Sequence, residues 1–262
     1  MAELPNRLAA LTVAQSERPA SCDIHGDYTA KGFAVGRMTH WMGCPDCSKQ
    51  AQAEKDQAEA VRSVAEAQRR LESSLNQAGI PERYRRKTFE SFIVENDAQE
   101  RALCVAMEFA GNFDAHRRSG TVIVFSGVPG TGKSHLAIAI AQAVMSGHTA
   151  LYTSAIDAVR MIRNTWRRDS ERTETQVLDM LAGVDLLVLD EVGVQYGTEA
   201  EQVNLFDIID KRYRALMPTI LLTNQGKGGL KSFLGDRSFD RLREGGQWVV
   251  FDWESYRGRA AA

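Results

Sequence analysis

Gly127-Val128-Pro129-Gly130-Thr131-Gly132-Lys133-Ser134 decides how this chain is read. The stretch has the spacing G-x-x-x-x-G-K-[ST], with an apolar run at 122–125 before it and the helical pattern SHLAIAIAQAVMS after it. Glycines let a backbone wrap a phosphate without Cβ clashes, so that successive N–H groups point inward as an anion nest. A helix N-terminus behind the loop adds partial positive charge. Lys133 supplies a point charge for β- and γ-phosphates, and the Ser134 hydroxyl is a ligand for Mg²⁺. The expected nucleotide-binding set is Gly127, Pro129, Gly130, Thr131, Gly132, Lys133, Ser134 and the adjoining His135, with ATP and Mg²⁺ as cofactors.

Outward from the loop, apolar runs alternate with helical stretches: TVIVFS at 121–126, TALYTS at 149–154, VDLLVLD at 184–190, TILLTN at 219–224 and WVVFD at 248–252. Strands apolar on both faces and spaced by helices indicate an α/β fold, a mostly parallel sheet covered on both sides. The third run ends in Asp190-Glu191. Asp190 is placed to hold Mg²⁺ through its water shell, and Glu191 to polarise a water for attack on the γ-phosphate. Asn224 closes the fourth run, where an amide would orient that water; Asn is equally at home as a strand-ending turn residue.

Together these residues resemble the AAA+ ATPases over residues 80–257. The resemblance implies a sheet in which an inserted strand separates the phosphate-loop strand from the Asp-Glu strand. It also implies ring or spiral oligomers in which one subunit's arginine reaches its neighbour's γ-phosphate. In LGDRSFDRLR at 234–243, Arg241 is the first candidate for that arginine and Arg237 the second. Only 38 residues follow Asn224, so the helical lid of most AAA+ proteins is expected to be absent or truncated. This ending, FDWESYR at 251–257, resembles the bacterial replicative-helicase loaders of the DnaC type. GIPERYRRKTFESF at 79–92 and Asp190-Glu191-Val192-Gly193-Val194-Gln195 are similar to that family too. Arg257 is then a candidate second nucleotide sensor.

Formal net charge is −2, so the chain is no polycation, and contact with nucleic acid must come from a local patch. VRMIRNTWRR at 159–168 is such a patch: arginines track a phosphate backbone while a tryptophan stacks a base. The same residues would also suit a helix with solvated arginines and a Trp packed on the core. The loader resemblance implies single-stranded DNA contacts at Arg163 and Trp166, with Thr198 as a further polar contact.

Cys22-x₂-His25 and Cys44-x₂-Cys47, eighteen residues apart, form two close ligand pairs with the spacing of a two-knuckle zinc site. Three thiolates and an imidazole suit tetrahedral Zn²⁺, and four protein ligands leave no open position, which marks a structural site. His40 is a spare candidate, and Cys104, inside an apparent helix at 98–113, is expected to be a buried small hydrophobe. Residues 49–78 contain no Gly or Pro and carry a narrow apolar stripe of Val61, Val64, Ala65, Leu71 and Leu75, suiting either a solvated spacer or a docking helix. The expected domains are a zinc module at 1–48, a helical linker at 49–78 and an ATPase domain at 79–262.

No apolar run approaches the ~18 residues of a membrane span, and the N-terminus lacks a secretory pattern, so a cytoplasmic location is expected. The leading expectation is an ATPase that loads a DnaB-type hexameric helicase onto single-stranded DNA, gripping it through the N-terminal module and assembling as a nucleotide-dependent spiral. An IstB-type transposition helper ATPase, or a zinc adaptor binding ATP with negligible turnover, are the alternatives.

Overall fold

The structure, a computed structural model, describes residues 15–35, 38–194 and 198–257. Gln195, and the side chains of Val64, Ala65 and Leu71 in the expected stripe, lie outside the described residues. By its contacts the chain divides into two compact units, residues 1–70 and 71–262.

The smaller unit opens with β1 (Gln15–Cys22), β2 (Gly26–Val35) and β3 (Met38–Trp41), an antiparallel sheet in chain order. The β1–β2 turn is tight, with Cys22 paired opposite Gly26. Helix α1 (Pro45–Gln77) then begins with proline at its first position and Asp46 in its first turn, both suited to a helix N-terminus. Its last turn lies in the larger unit and ends in a glycine terminator: Gly79 N–H donates to Asn76 O (3.1 Å) and Ile80 N–H to Leu75 O (3.2 Å). Gly79 has φ +68°, and the buried side chains of Leu75 and Ile80 supply the hydrophobic contact that accompanies this motif.

The larger unit continues through a 3₁₀ turn (Glu82–Tyr84), α2 (Asp97–Gly111) and α3 (Phe113–Ser119). From there strands and helices alternate: β4 (Val122–Gly127), α4 (Lys133–Val144), β5 (Ala150–Ser154), α5 (Ala155–Asn164), α6 (Glu174–Gly183) and β6 (Leu186–Val192). After these come α7 (Glu199–Arg214), β7 (Thr219–Thr223), α8 (Lys227–Glu244) and β8 (Gly246–Phe251). The sheet order is β5-β6-β7-β4-β8, every neighbouring pair parallel, and the five strands coincide with the five apolar runs. β7 is the inserted strand between β4 and β6.

Strand alternation sorts side chains into two cores. Ile123, Phe125, Leu186, Val188, Ile220 and Leu222 pack toward α2 and α4; Val124, Leu187, Leu189 and Leu221 pack toward α5 to α8. Every phosphate-site strand therefore ends, at its C-terminal edge, on one rim of a rigid two-faced sheet.

One expectation is corrected here. Cys104 is exposed, because α2 buries Gln99, Ala102, Ala106 and Phe109, and Cys104 lies across the helix from that face. No described helix is long and apolar enough to cross a membrane.

Candidate functional site

The loop between β4 and α4 takes its shape from its glycines and from the chain that covers it. Gly130 has φ +83°, and a Cβ there would stand 2.0 Å from Ser255 Oγ. The Lys133 ammonium is buried and donates to Gly127 O and Val128 O, both at 2.7 Å. Burial pushes its pKa down to about 8, against the opposing pull of Asp190 and with help from the Arg257 charge. Thr131 is fully buried, its hydroxyl donating to Val128 O (2.9 Å). His135 faces the other way, its Nε2 within 2.8 Å of Thr88 O and 3.0 Å of Ser91 Oγ, with Phe92 edge-on to its ring. Burial lowers its pKa, against the opposing pull of the Thr88 carbonyl.

Asp190 and Glu191 stand where β6 breaks step with β7. Leu189 pairs with Leu221 and Val192 with Thr223, so two residues oppose the single Leu222 in a β-bulge. The bulge turns the two carboxylates apart. Asp190 is buried: its Oδ2 accepts from Ser134 Oγ (2.8 Å) and from the Tyr152 hydroxyl, and its Oδ1 from Glu191 N–H (2.7 Å). Glu191 is exposed and has φ +57°, a conformation that costs a side-chain-bearing residue ~1–2 kcal/mol. Asn224 is exposed just past the end of β7, whose last residue, Thr223, donates to Val192 O (2.6 Å).

Chain that follows β8 closes over the loop. Trp253 Nε1 donates to Thr131 O and Tyr256 N–H to Gly130 O, both at 3.0 Å, while the Tyr256 hydroxyl donates to Ile93 O (2.8 Å). This run brings Arg257 to the phosphate loop, near enough that a Cβ on Gly130 would stand 3.0 Å from its Cγ. Sequence reasoning missed Tyr152, Trp253 and Ser255. The FDWESYR ending pointed to a family without giving Trp253 or Ser255 a part, and nothing local marks Tyr152, because these parts come from the register of β5 with β6 and from the path of the chain after β8.

The two expected trans-acting arginines sit beyond a kink in α8 at Gly235. Arg241 is half-buried, donates to Asp210 Oδ1 (2.5 Å) and lies over the rings of Phe206 and Tyr213. Arg237, one turn earlier, is exposed and makes no ion pair among the described residues. Of the expected DNA contacts, Arg163 is exposed in the last turn of α5. Trp166 lies just beyond that helix, 60% exposed, with Nε1 donating to Glu174 (2.7 Å). Thr198 caps α7, its hydroxyl accepting from Glu201 N–H.

In the smaller unit the β1–β2 turn and the start of α1 bring Cys22, His25, Cys44 and Cys47 together, their ligand atoms all within 4.8 Å of one another. His40 stands outside this group. Four of the separations are 3.3, 3.5, 3.6 and 3.8 Å, close to the ~3.5–3.8 Å edges of a tetrahedron with Zn–N near 2.0 Å and Zn–S near 2.3 Å. Backbone N–H groups of Ile24 and His25, then the His25 ring, draw the Cys22 thiol down to about 6; bonding to Cys22 pushes Cys47 up to about 11. The donor set and its spacing fit a metal ion.

Fold and site define a P-loop ATP-binding domain of the AAA+ type. A family model described as "IstB-like ATP binding protein" matches residues 55–262, and the chain belongs to that family, in its DnaC helicase-loader branch. It is 38% identical to the replicative helicase loader DnaC of Escherichia coli K12 over 206 residues, 76% of this chain and 82% of that one. Among solved structures it is similar to a DnaC helicase loader, with TM-score 0.60, 26% identity, and coverage of 65% of this chain and 99% of the other. It is also similar to the replication initiator DnaA bound to AMPPCP and single-stranded DNA, with TM-score 0.56, 28% identity, and coverage of 67% and 51%.

Proposed function

We propose that this protein hydrolyses ATP in order to deliver a hexameric replicative helicase of the DnaB type onto single-stranded DNA. The observation that carries the enzymatic half is the division of labour at the β6 bulge. A binding-only site needs the buried Asp190, bonded to Ser134, but has no use for an exposed Glu191 held in a strained conformation beside it. The oxygen set of Ser134 and Asp190 suits Mg²⁺, which would neutralise charge on the β- and γ-phosphates. Lys133 turns from its carbonyl partners toward phosphate oxygens, Asn224 orients the attacking water, and the Glu191 carboxylate accepts its proton. Arg257, beside Gly130 and close enough for its charge to act on Lys133, serves as a nucleotide sensor. Arg241 serves a neighbouring subunit's site, its direction set by Asp210, with Arg237 the exposed alternative.

The loading half rests on the 38% identity to DnaC across most of both chains and on two features of this chain. Arg163 and the exposed Trp166 offer charge and a stacking face to single-stranded DNA. The cysteine–histidine cluster, with zinc bound, would fold residues 1–48 into a module that grips the helicase, joined by the 49–78 helix to the 79–262 ATPase domain. Co-purification with a DnaB-type helicase, repeated after chelation, tests this reading. Capture that needs the metal supports it, and no complex under any nucleotide condition overturns it.

A further inference from the structure

The contacts of one residue, through its side chain and its backbone, reach from the nucleotide site to the end of α1. Tyr152 lies at the middle of β5, an outer strand of the sheet. Its hydroxyl donates to Asp190 Oδ2, the same oxygen that accepts from Ser134 Oγ. Its backbone N–H donates to the carbonyl of Ala78 (2.7 Å), the residue between the last of α1 and the terminating Gly79. The approach there is close enough that a Cβ on Gly79 would stand 2.6 Å from Tyr152 O. Within the larger unit, then, a single residue touches both the Asp190 carboxylate and the base of the helix that leads to the N-terminal module.

Both Asp190 oxygens are spoken for, and they are not alike. The Ser134 hydroxyl gives Asp190 its one proton and keeps both lone pairs for Mg²⁺, so its bond to Asp190 lasts only where the metal leaves that O–H aimed at the carboxylate, whereas the phenol is free of that constraint. Glu191 N–H holds Oδ1, and on Oδ2 the phenol is a second donor beside Ser134, which narrows rotation of the carboxylate about its χ2 torsion. We infer that Tyr152 is a positioning residue: its hydroxyl holds Asp190 in place as Mg²⁺–nucleotide binds, and its backbone passes the resulting change to the Ala78–Ile80 terminus of α1. This rests on the ATP-binding reading above and adds to it a route by which nucleotide state reaches the helix leading to the N-terminal module. A tyrosine here merely filling space against the core would do neither.

The test uses the full chain with Tyr152→Phe, which deletes only the hydroxyl, and Tyr152→Met as a second variant, each checked by its melting temperature. A fluorescent ATP analogue is titrated with and without Mg²⁺, and amide hydrogen exchange is followed at residues 76–80 and 152. In the wild type, Mg²⁺–nucleotide should slow exchange at Gly79, Ile80 and Tyr152. The variants should bind the metal-free analogue within about twofold of wild type, lose roughly 5–10-fold of the affinity gained from Mg²⁺, and show no nucleotide response at 76–80. Variants that keep the wild-type Mg²⁺ gain and exchange response overturn the inference. So does a wild type that binds nucleotide without any response at 76–80, an arm that needs no variant to fold. A wild type that binds no analogue at all defeats the ATP reading itself, and this inference with it.

Discussion

Two carboxylates one residue apart end in opposite environments, and the chemistry follows from that difference. Glu191→Gln keeps the shape and the phosphate contacts but cannot accept a proton. ATP binding should persist while turnover falls roughly 10²–10⁴-fold, and unchanged single-turnover hydrolysis would refute the assignment. Lys133 carries a pH signature. Burial holds it near 8, and phosphate oxygens favour its charged form, so nucleotide raises its pKa again. ATP affinity should therefore be full below pH 8 and weaken above it by up to about tenfold per unit, with uptake of a proton. Calorimetry in buffers of different ionisation heat reads that proton, and Lys133→Arg should flatten the dependence because guanidinium stays charged. At this scale the sequence was legible wherever the signal was local. Glycine spacing, the lysine and the Asp-Glu pair announce themselves within eight residues. Tyr152 does not, since its meaning arises only when β5 pairs with β6, and Cys104 was misjudged because the phase of α2 had to be known.

The elements owe their stability to more than apolar burial, and one device was hidden in a charged run. Lys211-Arg212-Tyr213-Arg214 reads as a solvated helix end, yet Arg212 is 1% exposed. Its guanidinium donates to Leu181 O, Ala182 O and Val184 O, to Asp185 O and Pro218 O, and to Thr219 Oγ1. Those carbonyls belong to the C-terminal end of α6 and the entries of β6 and β7, where a cation also suits the helix dipole. Arg212→Met would leave them buried without donors, at a cost of roughly 3–5 kcal/mol. Thermal unfolding should show a midpoint lowered by about 10 °C; a shift below 2 °C would mean the carbonyls find other partners. Strands were easier to read than this hub, because a run apolar on both faces has no stable alternative to a covered sheet. Strand order was not in the periodicity and came only with the family resemblance.

For the molecule as a whole, the cysteine–histidine cluster and the phosphate loop lie in different units, so removing a metal and removing nucleotide should have separable effects. Chelation should release about one zinc per chain and abolish helicase capture while leaving ATP binding by the larger unit within about twofold. Metal analysis and parallel binding assays check this, and a loss of ATP affinity equal to the loss of capture would contradict it. The cluster was legible from spacing because two short ligand pairs close on one ion almost regardless of the fold between them. The identity of a partner carries no such mark in the residues.

The bulge at Asp190-Glu191 sets folding against use. Glycine suits φ +57° without the penalty Glu191 bears, so Glu191→Gly should raise the unfolding free energy by about 1 kcal/mol or slightly less, while removing the water-activating carboxylate. Denaturant unfolding of the two proteins would show it. On the proposed reading of Glu191 as the water-activating carboxylate, its mismatch with its own backbone is the mark that selection for turnover leaves against selection for stability.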